Sequence, residues 1–111
     1  MPDTSTTIYQ ILKAIDVAYE NNNFEFDTTF DLEKMKISER RLLLNLENLI
    51  EDGYIKGLTL IPDLKNQYSV SISNPRLTTA GLLFLEENSI MKRAYNTLKE
   101  IKGWIPGYIN N

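Results

Sequence analysis

The chain has no cysteine and no histidine. Without cysteine there can be no disulfide and no thiolate metal site, which fits a reducing compartment, and a cytoplasmic setting is expected. Without histidine it lacks the most frequent general base, the most frequent metal ligand and the side chain that titrates near neutral pH. No apolar run approaches the roughly 20 residues of a membrane helix. The polar stretch Met1–Thr7 lacks the charged-then-apolar order of a signal peptide, so no membrane partner is expected. Positive charge is outnumbered, 12 Lys and Arg against 15 Asp and Glu. A formal net charge of −3 sets up a field that repels nucleic acid as a whole, so any DNA contact must come from a local patch.

What is present is ordinary for a globular chain. A length of 111 residues, 42% of them hydrophobic, predicts a single domain over 1–111 with a core of its own. Ile8, Ile11, Leu12, Ile15, Ala18 and Tyr19 recur at helical spacing. Thr4 or Ser5 is the expected N-cap, and Asn21–Asn23 the left-handed stop. Phe24–Phe26 alternates like a short strand. Thr28–Met35 reads as a second helix with Phe30, Leu32 and Met35 inward.

A third helix is predicted from about Glu39 to Asp52. Ser38 is its N-cap, and Ile37 and Leu42 hold the two positions of a hydrophobic staple. Leu42, Leu46, Leu49 and Ile50 make its buried stripe, with Leu43 on the flank. Gly53 sits where the chain must turn left-handed. Tyr54–Ile61 and Gln67–Ser73 are rich in strand formers and flank the turn residues Pro62–Asn66, so they form a hairpin that Asn74–Pro75 should end. Thr78 caps a further helix to about Asn88, with Leu77 and Leu82 as a second staple pair. A last helix should run from about 89 to 105, carrying Met91, Ala94, Tyr95, Leu98, Ile101 and Ile105 on one face. Two helices joined by a tight turn, then a two-stranded wing, define an α+β winged helix-turn-helix fold. The expected core spans about 8–88, with the C-terminal helix added.

With these elements placed, Leu77–Asn88, Lys92–Ile105 and the wing entry Glu51–Gly57 resemble the YjcQ-like family of small bacterial and prophage-encoded proteins. The resemblance covers roughly Ile8 to Ile105. It implies the winged-helix fold and a bacterial or prophage source, and it carries no catalytic motif over to this chain.

In a helix-turn-helix the first turns of the second motif helix enter the major groove. The outward positions expected there are Arg40, Arg41, Leu44, Asn45 and Asn48. Arginine suits guanine edges and asparagine suits adenine. Ser38 and the helix start suit a phosphate. Lys36, beside Lys34, and Lys65 at the wing tip complete a candidate surface for double-stranded DNA. The alternative is that both arginines are simply solvated, or pair with Glu33 and Glu47. Asp31–Arg41 holds four basic and three acidic residues, and Glu47, Glu51 and Asp52 follow, which is thin support against the six to ten phosphate contacts of a firm binder. Leu44 is either a lone exposed leucine or a protein contact.

Lys92–Lys102 holds four basic residues and one glutamate, a net of +3. With Leu44, the C-terminal residues Tyr95, Trp104, Ile105 and Tyr108 are candidates for an interface, here a homodimer through the last helix. The alternative is that Trp104 folds back on the first helix. The carboxylate pairs Asp27/Asp31 and Glu86/Glu87 read as helix-end residues. With no nucleophile–base set and no phosphate loop, no enzyme, cofactor, metal or small-molecule substrate is expected. Two functions therefore stand side by side: a DNA-binding or transcription-regulatory module, and a protein-interaction adaptor on a winged scaffold that does not bind DNA.

Overall fold

The computed structural model describes residues 3–65 and 67–88. Its order is α1 Thr4–Glu20, α2 Phe26–Thr29, α3 Leu32–Met35, α4 Glu39–Glu51, β1 Ile55–Pro62, β2 Tyr68–Leu77 and α5 Thr79–Glu87. The expected C-terminal helix, with Tyr95, Trp104, Ile105 and Tyr108, lies outside the described residues.

α1 is the central helix. Ile11, Leu12 and Ile15 are fully buried and meet Leu42 and Leu46 of α4 and Leu58 of β1 in one core. Its N-cap is Asp3 rather than Thr4 or Ser5. The Asp3 carboxylate accepts from the Thr6 backbone N–H at 2.8 Å, so the helix starts one or two residues earlier than the hydroxyls suggest. The helix ends as predicted, with Asn22 left-handed at φ 51° and the Asn23 N–H returned to the Ala18 carbonyl at 3.0 Å. Asp16, partly buried on this helix, has its carboxyl pushed above the usual range by desolvation. Lys13 opposes the shift and Glu20 adds to it.

Two expectations fail in the next stretch. Phe24–Phe26 is not a strand. Phe24 and Phe26 both set their rings edge-on against Phe30, at centroid distances of 5.8 and 5.2 Å, so the alternation reflects a three-ring cluster. The expected helix over Thr28–Met35 is two single turns. Asp31 caps the second by accepting from the Lys34 N–H at 3.1 Å, and that extended cap residue interrupts any continuous helix. Phe30 and Met35 are buried as expected.

Lys36 then takes a left-handed conformation at φ 59°, and the Ile37 N–H returns to the Leu32 carbonyl at 3.3 Å. This is the tight turn of the helix-turn-helix. Ser38 Oγ accepts from the Arg41 N–H at 3.0 Å and starts α4 as predicted. α4 closes at Gly53, φ 83°, whose N–H reaches the Ile50 carbonyl while the Tyr54 N–H reaches Leu49 at 2.8 Å.

β1 and β2 pair antiparallel, from Pro62 opposite Tyr68 to Ile55 opposite Leu77. Asn74–Pro75 does not end the strand. The pairing passes from Leu58–Ile72 to Lys56–Arg76, so Gly57 faces three residues of β2, and the extra length is absorbed with Gly57 at φ 80° and Asn74 at φ 57°. The strand therefore resumes and delivers Leu77 to the core. Thr78 caps α5, accepting from the Gly81 N–H at 3.2 Å. Its own N–H bonds the Tyr54 carbonyl at 3.0 Å and its hydroxyl donates to the Gly53 carbonyl. Leu77 is buried, whereas Leu82, its expected staple partner, is largely exposed and lies outside the core cluster.

Candidate interaction face

The surface that a winged helix offers to a partner is built by α4 and the hairpin. A helix repeats every 100°, so residues 40, 44, 47 and 51 share one side, while 41, 45, 48 and 52 share the next. The structure separates these two sides. Arg40, Leu43, Leu44 and Glu47 face the wing across a groove. Asn45 and Asn48 instead border a small cleft with Thr4 and Ile8 of α1, Tyr54, and Phe84 of α5.

Asn45 is the main correction. It was expected to read bases, yet it is only 9% exposed, and its amide donates to the Arg41 carbonyl at 3.0 Å. It lies about 40° round the helix from Leu49, close enough to the buried stripe to be covered by it. Lys36, Ser38, Arg40, Arg41, Asn48 and Lys65 are all exposed. Arg40 is nevertheless parted from Arg41, since only Arg40 lines the groove toward the wing. The Ser38 hydroxyl already serves its own helix as the cap acceptor. Lys65 stands at the wing tip, where the Asp63 carboxylate accepts from the Lys65 and Gln67 N–H groups at 2.8 and 3.0 Å. A negative charge is thus fixed beside the one cation of the described tip. Among the described residues neither arginine forms an ion pair, so the expected alternative partners Glu33 and Glu47 are not engaged.

The groove has two adjoining parts. One, about 690 Å³, lies between α4 and the start and end of the wing strands, with Leu43, Leu44 and Pro62 supplying apolar surface. The other, about 540 Å³, runs toward α2 over Phe26, Leu32 and Val70. Glu39, Leu43 and Tyr68 border both and form the saddle between them. Tyr68 is held over α4 by a long hydrogen bond, its hydroxyl donating to Glu47 Oε2 at 3.5 Å. The ionisable residues around the two parts are Asp27, Asp31, Glu39, Glu47 and Arg40, four carboxylates against one guanidinium. Leu44 is 45% and Tyr68 39% exposed, so apolar surface is uncovered at the centre of this face.

Sequence reasoning left Leu44 as either a lone exposed leucine or a protein contact, and it did not bring Tyr68 and the carboxylates together around a groove. The clue for Tyr68 was its place on the Tyr68–Val70–Ile72 face of the hairpin. Which element that face meets depends on how the wing docks.

Helix α1, the two-turn motif feeding α4, the hairpin and α5 make this an α+β winged helix-turn-helix protein. Residues 9–104 match the family model described as YjcQ protein. The chain belongs to the YjcQ family. A Bacillus subtilis (strain 168) protein described as "Uncharacterized protein YjcQ" is 33% identical over 97 residues, 87% of this chain and 92% of that protein. No solved structure matches the chain. No described helix is long and apolar enough to cross a membrane.

Proposed function

We propose that this YjcQ-family chain is a winged-helix regulatory module that acts by binding another protein through α4 and the wing, rather than by reading DNA. The observation that carries this reading is the chemistry of the α4–wing groove. A DNA reader needs cations along this face, because affinity comes largely from neutralised phosphates. Here the groove is walled by carboxylates over an apolar floor. One of the expected base-reading residues, Asn45, is turned inward. The exposure of Lys36, Arg40, Arg41, Asn48 and Lys65 supports a second reading, in which these five positions and Ser38 grip double-stranded DNA.

A gel-shift titration with random-sequence duplex at low salt separates the two. The expected result is no retarded species at high micromolar protein. A complex that forms there and weakens with salt overturns the protein-binding reading, since non-specific affinity alone would reach that range for a working DNA reader.

A further inference from the structure

We infer that the α4–wing groove takes a short segment of another protein in which apolar side chains alternate with lysine or arginine. This rests on the protein-binding reading above and names the chemistry of its partner. The groove offers two apolar parts on either side of the Tyr68 saddle, each large enough for one or a few side chains. Around them the carboxylates are spread out. Asp27 and Asp31 flank the part toward α2, Glu39 borders the saddle, and Glu47 lies beside Leu44.

Among the described residues no three acidic groups converge as they would around a metal ion. A spread wall suits several separate cations rather than one divalent ion. An extended or helical segment with spaced basic residues would place a charge at each carboxylate and an apolar side chain in each part. Glu47 is already within reach of a donor, and its 3.5 Å bond from Tyr68 is weak enough for a guanidinium or ammonium to replace. Nucleic acid is the wrong occupant, because its phosphates would face four carboxylates. A second copy of this chain carries −3 overall but +3 over 92–102, so it is the competing occupant that the 90–105 peptide is chosen to separate from a different protein.

The test is a titration of the full-length, ¹⁵N-labelled chain, followed by amide shifts. Four probes are used. The first is a capped peptide of about eight residues alternating Leu or Phe with Lys or Arg. The second is the same peptide with Glu at every basic position. The third is a peptide copying residues 90–105 of this chain, and the fourth is a random duplex DNA. The expected result is saturable binding of the cationic peptide, with shifts centred on Leu43, Leu44, Glu47 and Tyr68. The acidic peptide should bind at least about tenfold more weakly. The paired substitution Glu39→Lys and Glu47→Lys should cost about tenfold in affinity for the cationic peptide and lower the melting temperature by only a few degrees, so that the folded chain is what is titrated.

Equal binding of both peptides, or binding of neither, overturns the proposed segment. Tighter binding of the 90–105 peptide makes a second copy the occupant; it overturns the separate partner and leaves the protein-binding reading intact. Shifts of the same amides by the duplex overturn both.

Discussion

Gly53 and Gly57 have nearly the same backbone conformation, φ 83° and φ 80°, but different surroundings, and the pair allows conformational cost to be separated from steric cost. At Gly53 an added Cβ would meet nothing within 4 Å. Gly53→Ala therefore pays only for placing an L side chain in a left-handed turn, about 1 kcal/mol. At Gly57 the same Cβ would lie 2.5 Å from the carbonyl oxygens of both Asn74 and Ser73. Those atoms are backbone on the facing strand, so the irregular segment of β2 must move. Overpacking of this kind adds about 1–3 kcal/mol, and the total for Gly57→Ala is about 2–4 kcal/mol. Each kcal/mol corresponds to a few degrees of melting temperature in a domain of this size, roughly 4 °C or more. The two variants should thus differ by several degrees in thermal unfolding followed by circular dichroism, with urea melts giving the free energies. Equal losses at the two sites would refute the steric argument and the register that places Gly57 against β2. No loss at Gly53 would mean that α4 ends elsewhere.

Other substitutions test other parts of the structure. Asn45→Asp should destabilise by about 1–3 kcal/mol, because a carboxylate would be buried against the Arg41 carbonyl; an unchanged urea midpoint would return Asn45 to the solvent face. Ser38→Ala should cost about 1 kcal/mol through loss of the α4 cap, read from the same melts, and no change would remove that cap from the account. Asp16 has a raised carboxyl pKa in the folded state, so its charged form opposes folding above that value, and the penalty disappears as the pH falls below the ordinary carboxylate range. Asp16→Asn should therefore raise the melting temperature at pH 7, with the gain shrinking toward pH 4; a gain that grows on acidification contradicts the assigned cause.

The parts of the fold legible in the sequence are those set by neighbours a few residues apart. Ser38 and Thr78 announce helix starts because a hydroxyl there reaches an N–H three residues on, and Gly53 announces a stop because few other residues tolerate its conformation. Failures came where one pattern had two physical causes. Phe24 and Phe26 alternate like a strand, but the same spacing lets both rings reach Phe30. Asn74–Pro75 reads as a break, yet with Gly57 opposite it becomes an irregularity inside a longer strand. Asn45 was expected on the outward face, but it lies only about 40° from Leu49, where packing by neighbouring elements decides burial. The groove was least legible of all, since Tyr68 and Glu47 are 21 residues apart and meet only when the hairpin folds over α4.

Thr78 bonds the backbone at both Gly53 and Tyr54, so the residues that enter and leave the hairpin are fastened at one point. The wing thus leaves and rejoins the helical body at neighbouring points, with Leu58 and Leu77 of its strands set into the core and its far end free of it. Lengthening it at the tip adds mainly loop-closure entropy, which grows only with the logarithm of length. Changes of length or sequence confined to the hairpin tip should therefore leave the helices in place.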